Sequence, residues 1–164
     1  MGAIVWQKTN METLVSKLKQ DYPGFVFVVG TALCWSPEQK QVLYDPTAGT
    51  EGAWGLLHEL GHARLSHNSY ASDLDLLRKE TAAWHEAILI AKNYGLTPDQ
   101  EHIQDCLDTY RDWLYKRSTC PTCQSKGLQT NSQRYECPNC GGSWQVSPSR
   151  FCRAYRRRAT TDDK

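Results

Sequence analysis

No stretch of this 164-residue chain approaches the eighteen or so consecutive apolar residues of a membrane-spanning helix, so no span is expected. The opening MGAIVWQKTN lacks a basic segment followed by an apolar one, which argues against secretion, and Trp6 breaks the pattern for N-terminal myristoylation. Internal repeats and low-complexity tracts are missing too, which removes repeat arrays from consideration. The length is too short for two large domains and sufficient for one ordinary core with a small satellite.

What is present is a globular composition, 40% apolar and 23% charged. The seven cysteines are an odd number and four of them fall in two CxxC pairs, which without a secretory leader reads as metal ligation rather than a disulfide framework. A reducing cytoplasm is the expected setting. The net charge of +1 conceals an asymmetry: residues 1–117 carry 11 Lys and Arg against 15 Asp and Glu, whereas 118–164 carry 8 against 3. The C-terminal part could therefore face an acidic partner.

Helical periodicity runs through TNMETLVSKLKQ, with Thr9 and Glu12 in capping-box spacing, and should stop before Pro23-Gly24. FVFVVGTALCW (25–35), the turn residues Ser36 to Gln39 and KQVLYD (40–45) read as a β-hairpin. A helix is expected over 74–94, capped by Ser72 or Asp73, with a stripe of Leu74, Leu77, Thr81, Trp84, Ile88 and Ala91. Another should begin at Thr97-Pro98-Asp99-Gln100 and bury Ile103, Cys106, Leu107, Tyr110, Trp113 and Leu114. From Ser118 the sequence turns to Cys, Pro, Gly and Asn punctuation.

Three of the five histidines lie in AWGLLHELGHARLSH (53–67). On a helix His58 and His62 stand one turn apart on one face, a spacing that lets two imidazoles share one zinc ion. Glu59, beside the first of them, could reach a metal-bound water, take its proton and deliver it to a leaving amine. The same stretch could be an amphipathic helix with polar residues by chance. Its apolar flanks, Trp54, Leu56, Leu57, Leu60 and Leu65, favour the metal reading, because polar groups buried among them need partners.

A catalytic zinc usually has three protein ligands. An astacin-like continuation would need Gly at 65 and His at 68, where this chain has Leu65 and Asn68. His67 follows His62 too closely along one helix to return to the same metal, and reads as a helix-end or surface residue. On the following helix Glu80 falls at the margin of the core face and Glu86 on the opposite side, facing water. A carboxylate among Leu77, Ala83, Trp84 and Ala87 is costly to desolvate without a cation, although a surface ion pair is the plain alternative and His85 a second candidate.

LLHELGHARLSH followed by a helix containing ETAAW resembles the ImmA/IrrE-type metallopeptidases and the wider gluzincins, over about residues 25–92. The resemblance implies His58, His62 and Glu80 as zinc ligands, Glu59 as general base, and a compact α+β fold in which a strand beside the active-site helix pairs with an extended substrate. Residues 40–45 or 25–33 are the candidates for that strand. Trp84 departs from the pattern, since many relatives carry a small acidic or amide residue there, of the kind that orients ligands.

CPTCQSKGLQTNSQRYECPNC sets the pair Cys120 and Cys123 apart from the pair Cys137 and Cys140 by thirteen intervening residues, two knuckles that present four thiolates to a closed structural zinc. This resembles a zinc ribbon, which would draw most of its folding free energy from the metal. A thioredoxin-like redox motif needs one CxxC in a βαβ setting absent here. Cys106 reads as a core-face residue, Cys34 as a strand residue and Cys152 as one packed on the ribbon, and none of them is assigned chemistry. RFCRAYRRR (150–158) is a solvated tail or, with Phe151 and Tyr155 as stacking groups, a phosphate contact for nucleic acid; it could equally recruit an acidic protein.

The sequence thus predicts an α+β chain: a small zincin-like peptidase domain over 1–117, a four-cysteine zinc ribbon over 118–150 and a basic tail over 151–164, with one catalytic and one structural Zn²⁺. The expected activity is hydrolysis of peptide bonds in a protein substrate, by resemblance a transcriptional regulator. A SprT-like protease acting on DNA-bound proteins shares the layout but usually takes a third histidine beyond the motif, and none lies between His67 and His85. A non-catalytic DNA- or protein-binding adaptor is the third reading, against which the intact Glu59 speaks.

Overall fold

The computed structural model describes residues 8–148 and 156–158. Among them the chain is α+β, with four helices and two small sheets. None of those helices is long and apolar enough to cross a membrane. By its internal contacts the chain divides into two units, Met1–Ser69 with Lys79–Ile103, and Tyr70–Arg78 with Gln104–Lys164.

The first unit opens with α1 (Lys8–Asp21), longer than its periodicity suggested and buried along Met11, Leu14, Val15 and Leu18. Three strands follow, β1 (Val26–Val29), β2 (Cys34–Ser36) and β3 (Gln41–Tyr44), in the order β1-β3-β2. The expected two-stranded hairpin is half right. β2 and β3 are antiparallel around a turn closed at Lys40, which takes a left-handed φ of 51°, but β1 pairs with β3 in parallel. The reason lies in Gly30 to Leu33, which break the long β-branched run in two: Gly30 still donates its N–H to Tyr44, and the chain then crosses to the far side of β3.

Helix α2 (Gly49–Arg64) packs on β2 and β3 and buries Ala53, Leu56, Leu57, Leu60 and Ala63. It ends in a Schellman turn: Ser66 adopts a left-handed φ of 55° where glycine is usual, its N–H meets the Ala63 carbonyl, and the His67 N–H returns to the His62 carbonyl at 3.0 Å.

Helix α3 (Asp73–Asn93) buries Glu80, Ala83, Trp84, Ala87, Ile90 and Ala91, so its inner face is rotated from the expected stripe; Leu74 is 50% exposed and Thr81 faces solvent. Glu80 is therefore well inside that face rather than at its margin. Glu86 is not a free solvent group either, because it pairs with Arg64 at 2.7 Å. α3 and α2 approach closely at Gly61, where an added Cβ would lie 2.5 Å from the Ala83 carbonyl oxygen. Only a residue without a side chain fits there.

The second unit takes in the start of α3 and most of α4 (Gln100–Ser118), whose N-terminal cap is Asp99 rather than Thr97: the Asp99 side chain accepts the Glu101 N–H at 3.1 Å. Ile103, Leu107 and Trp113 are buried along α4 as the spacing required. A four-stranded antiparallel sheet follows, β4 (Leu128–Asn131), β5 (Arg134–Glu136), β6 (Ser143–Val146) and β7 (Arg156–Arg158). Trp144, fully buried, stacks on Tyr135 at 5.6 Å and forms the small core with Cys120, Cys137 and Val146.

Arg117 is the buried hub of this unit. Its guanidinium pairs with Asp73 at 2.7 Å, donates to the Ser132 carbonyl at 3.0 Å and reaches the Ser147 carbonyl, while its own carbonyl accepts the Trp144 indole N–H. Ser72 caps α3 through the Asp75 N–H, which frees the Asp73 carboxylate for Arg117 and for the Tyr135 hydroxyl, donated at 2.5 Å. Of the basic tail, Arg156, Arg157 and Arg158 are described as an exposed edge strand; Phe151, Cys152, Tyr155 and the remainder lie outside the described residues.

Candidate metal centres

Among the described residues two groups of side chains converge with metal-ligand chemistry. In the first unit α2 presents His58 and His62 on one face and α3 presents Glu80 to both. His58 Nε2 lies 3.1 Å from His62 Nε2 and 3.2 Å from Glu80 Oε2, and His62 Nε2 lies 3.5 Å from Glu80 Oε1. Donors about 2.0–2.1 Å from a tetrahedral ion stand about 3.3–3.4 Å from one another, so the three separations match a single cation at their centre. His58 and Glu80 are buried and His62 nearly so.

Burial by itself would raise the Glu80 pKa. Hydrogen bonds from His58 and His62, helped by their charge, overcome it and hold the carboxyl well below the usual carboxylate range. The group is therefore an anion at neutral pH, as a ligand must be. His85, the other candidate on α3, is exposed and outside the cluster.

Glu59 is half-buried beside these residues, and its Oε2 accepts the backbone N–H of Trp35 at 2.7 Å. Trp35 belongs to β2, so the sheet edge near Glu59 is β2. Residues 41–44, within one of the two expected substrate-pairing segments, form the central strand, flanked on both sides, and cannot accept another chain. Burial, then the Glu59 charge, pushes the neighbouring Cys34 thiol up.

His67 is more than a helix-end residue. Its Nδ1 lies 2.8 Å from His62 Nδ1, and its carbonyl accepts the Trp35 indole N–H at 2.9 Å. Reading His67 along a continuing helix missed this, because α2 stops at Arg64 and the Ser66 turn folds the chain back over His62. The signal available in the sequence was weak: a polar Ser66-His67-Asn68 run after the last apolar position. Trp84 lies against His58 with ring centroids 4.4 Å apart, and among the described residues His58 Nδ1 is buried without a hydrogen-bond partner. No acidic or amide side chain among the described residues supports that ligand from behind.

In the second unit Cys120, Cys123, Cys137 and Cys140 are free thiols whose sulfurs converge: Cys120 to Cys140 is 3.7 Å and Cys123 to Cys137 is 3.5 Å. Thiolates at about 2.3 Å from a tetrahedral ion stand about 3.8 Å apart, so this set also suits one metal. The two knuckles repeat one geometry. Gln124 and Gly141 return N–H bonds to the Cys120 and Cys137 carbonyls, both in left-handed conformations, while the Cys120 and Cys137 N–H groups go to the carbonyls of Ser125 and Gly142. A hydrogen bond from the Ser125 side chain, then one from the Asn139 amide, brings the Cys123 thiol down to about 5.

The two centres differ in their chemistry. The cysteine set supplies four ligands and closes a tetrahedral ion. The His/Glu set supplies three, one fewer than a tetrahedral ion takes, with Glu59 next to His58 in the sequence. Compared with family models, with curated proteins and with solved structures, the chain matches none of them.

Proposed function

We propose that the first unit is a zinc-dependent metallopeptidase of the ImmA/IrrE type, with a zincin-like arrangement in which His58, His62 and Glu80 hold the ion, and that the cysteine centre is a structural zinc ribbon. The observation that carries the reading is a three-ligand set at tetrahedral spacing with Glu59 adjacent and fixed by Trp35. Zinc in such a site acidifies water in its open position and polarises a carbonyl.

The chain's own residues do the rest. Glu59 Oε2 is anchored on the Trp35 N–H, which sets the carboxylate's rotamer, and Oε1 is the oxygen that takes a proton from the attacking water and returns it to the leaving amine. Glu80, ionised and buried, offsets the charge of the ion it binds. The exposed arginines of β7 support contact between the second unit and a polyanion, nucleic acid phosphate being the proposed partner.

The test uses metal content and cleavage of a random peptide library followed by mass spectrometry. Wild type should carry two zinc ions and generate new termini. Glu59→Gln should keep both ions and lose cleavage, and His58→Ala should keep one ion. Zinc content unchanged by His58→Ala removes the metal reading, and cleavage that survives Glu59→Gln removes the assigned base.

A further inference from the structure

We propose that Trp35 and His67 are positioning residues that tie the general base and a metal ligand to the same edge strand; this rests on the metal reading of the His58, His62 and Glu80 site. Trp35 donates two directed bonds. Its backbone N–H holds Glu59, and its indole N–H holds the His67 carbonyl. His67 in turn meets His62 through the two Nδ1 atoms.

The protonation pattern follows from the geometry. His62 turns Nε2 toward His58 and Glu80; when that nitrogen ligates the metal it carries no proton, which leaves the His62 proton on Nδ1. That N–H donates to His67 Nδ1, which is then the acceptor, and His67 keeps its own proton on Nε2. The bond fixes both the tautomer and the ring plane of His62. The Schellman turn at Ser66 places His67, and the Trp35 indole locks that turn by taking its carbonyl.

The contrast with His58 gives the relay its weight. Among the described residues His58 Nδ1 has no hydrogen-bond partner, only the Trp84 ring against its face, whereas the rear nitrogen of His62 is held by His67. Orienting bonds of this kind typically change metal affinity 10- to 100-fold. Trp35 meets Phe25 edge-on at 5.6 Å, and Trp35→Phe keeps an aromatic ring at that contact while removing the indole N–H.

The experiment measures zinc affinity of the full chain by chelator competition, together with the visible spectrum of the Co²⁺ form, for His67→Ala, His67→Asn and Trp35→Phe. His67→Ala should weaken one of two zinc ions about 10- to 100-fold and alter the Co²⁺ bands of the histidine site, with the four-cysteine Co²⁺ bands unchanged. His67→Asn, whose side-chain oxygen can accept from His62 Nδ1, should recover most of the affinity. Trp35→Phe should weaken the same ion by less, about two- to fivefold, a fraction of the direct effect because it frees only the turn. Wild-type affinity in His67→Ala, or failure of His67→Asn to do better than His67→Ala, overturns the relay while leaving the metal site standing. If His58→Ala does not change wild-type zinc content, the metal reading fails and the relay falls with it.

Discussion

Gly61→Ala is the substitution that most directly tests how the first centre is assembled. In an α2 considered alone, alanine would be favoured over glycine by about 1 kcal/mol. In this structure the new Cβ would sit 2.5 Å from the backbone carbonyl of Ala83, and contact becomes ordinary only from about 3.4 Å. The helices must therefore separate locally by about 0.9 Å, and the obstacle is backbone rather than a side chain that can swing away. Overpacking of this kind costs about 1–3 kcal/mol, so it cancels or exceeds the propensity gain and the chain still folds. The site fares worse than the fold. Glu80 is one turn before Ala83 on α3, and metal–ligand distances tolerate only about ±0.2 Å, so a shift several times larger should lower zinc affinity at His58, His62 and Glu80 at least 100-fold. Elemental analysis after gel filtration and chelator competition read the result, with Gly24→Ala, which meets nothing within 4 Å, as the control. A Gly61→Ala protein as stable as wild type that retains both zinc ions at wild-type affinity would refute the argument that this close approach places Glu80.

Three further outcomes follow from the second unit. Cys137→Ser should remove one metal ion and melt the sheet of β4 to β6, since metal binding supplies on the order of 10 kcal/mol to small zinc modules, and backbone amide shifts of residues 128–146 in NMR spectra will show it. Asp73→Ala leaves Arg117 charged and buried without its carboxylate partner and should cost about 3–5 kcal/mol, measured by denaturant unfolding; a loss below about 1 kcal/mol would mean the Ser132 and Ser147 carbonyls suffice. Burial, then the hydrogen bond to Asp73 and the Asp73 charge, raises the Tyr135 pKa above the tyrosine value of about 10. The native state therefore holds that proton more tightly than the unfolded chain, so the contribution is complete below about pH 10 and is lost as pH rises beyond it; Tyr135→Phe should flatten the alkaline stability curve, and an unchanged slope would contradict the assignment.

Much of the architecture could be read from local pattern. The Ser72 cap of α3, the buried row Ile103, Leu107 and Trp113, and the convergence of four cysteines all follow from spacing and capping, which act within a few residues. Sheet order did not, because the parallel pairing of β1 with β3 is decided by where Gly30 lets the chain leave the sheet, not by the β propensity of 25–35. Nor did the role of Arg117: on a helical wheel it is a last-turn cation, and only the sheet that follows turns it into a buried hub.

The first centre shows where pattern reading stops for a physical reason. His58, His62 and Glu59 are set by helical period alone, and Glu80 by the opposing helix, so each is visible in one dimension. The apolar stripe placed Glu80 at a margin because a hydrophobic wheel counts a carboxylate as polar. Once two imidazoles face it, burying that carboxylate becomes favourable and the inner face of α3 turns toward it. Trp35 and His67 were invisible for a different reason. Both act through the backbone as well as the side chain, Trp35 with its N–H on Glu59 and His67 with its carbonyl on Trp35, and a main-chain bond carries no residue signature. The parts of the site that orient rather than ligate therefore depend on where α2 ends, and that ending is set by one left-handed residue, Ser66.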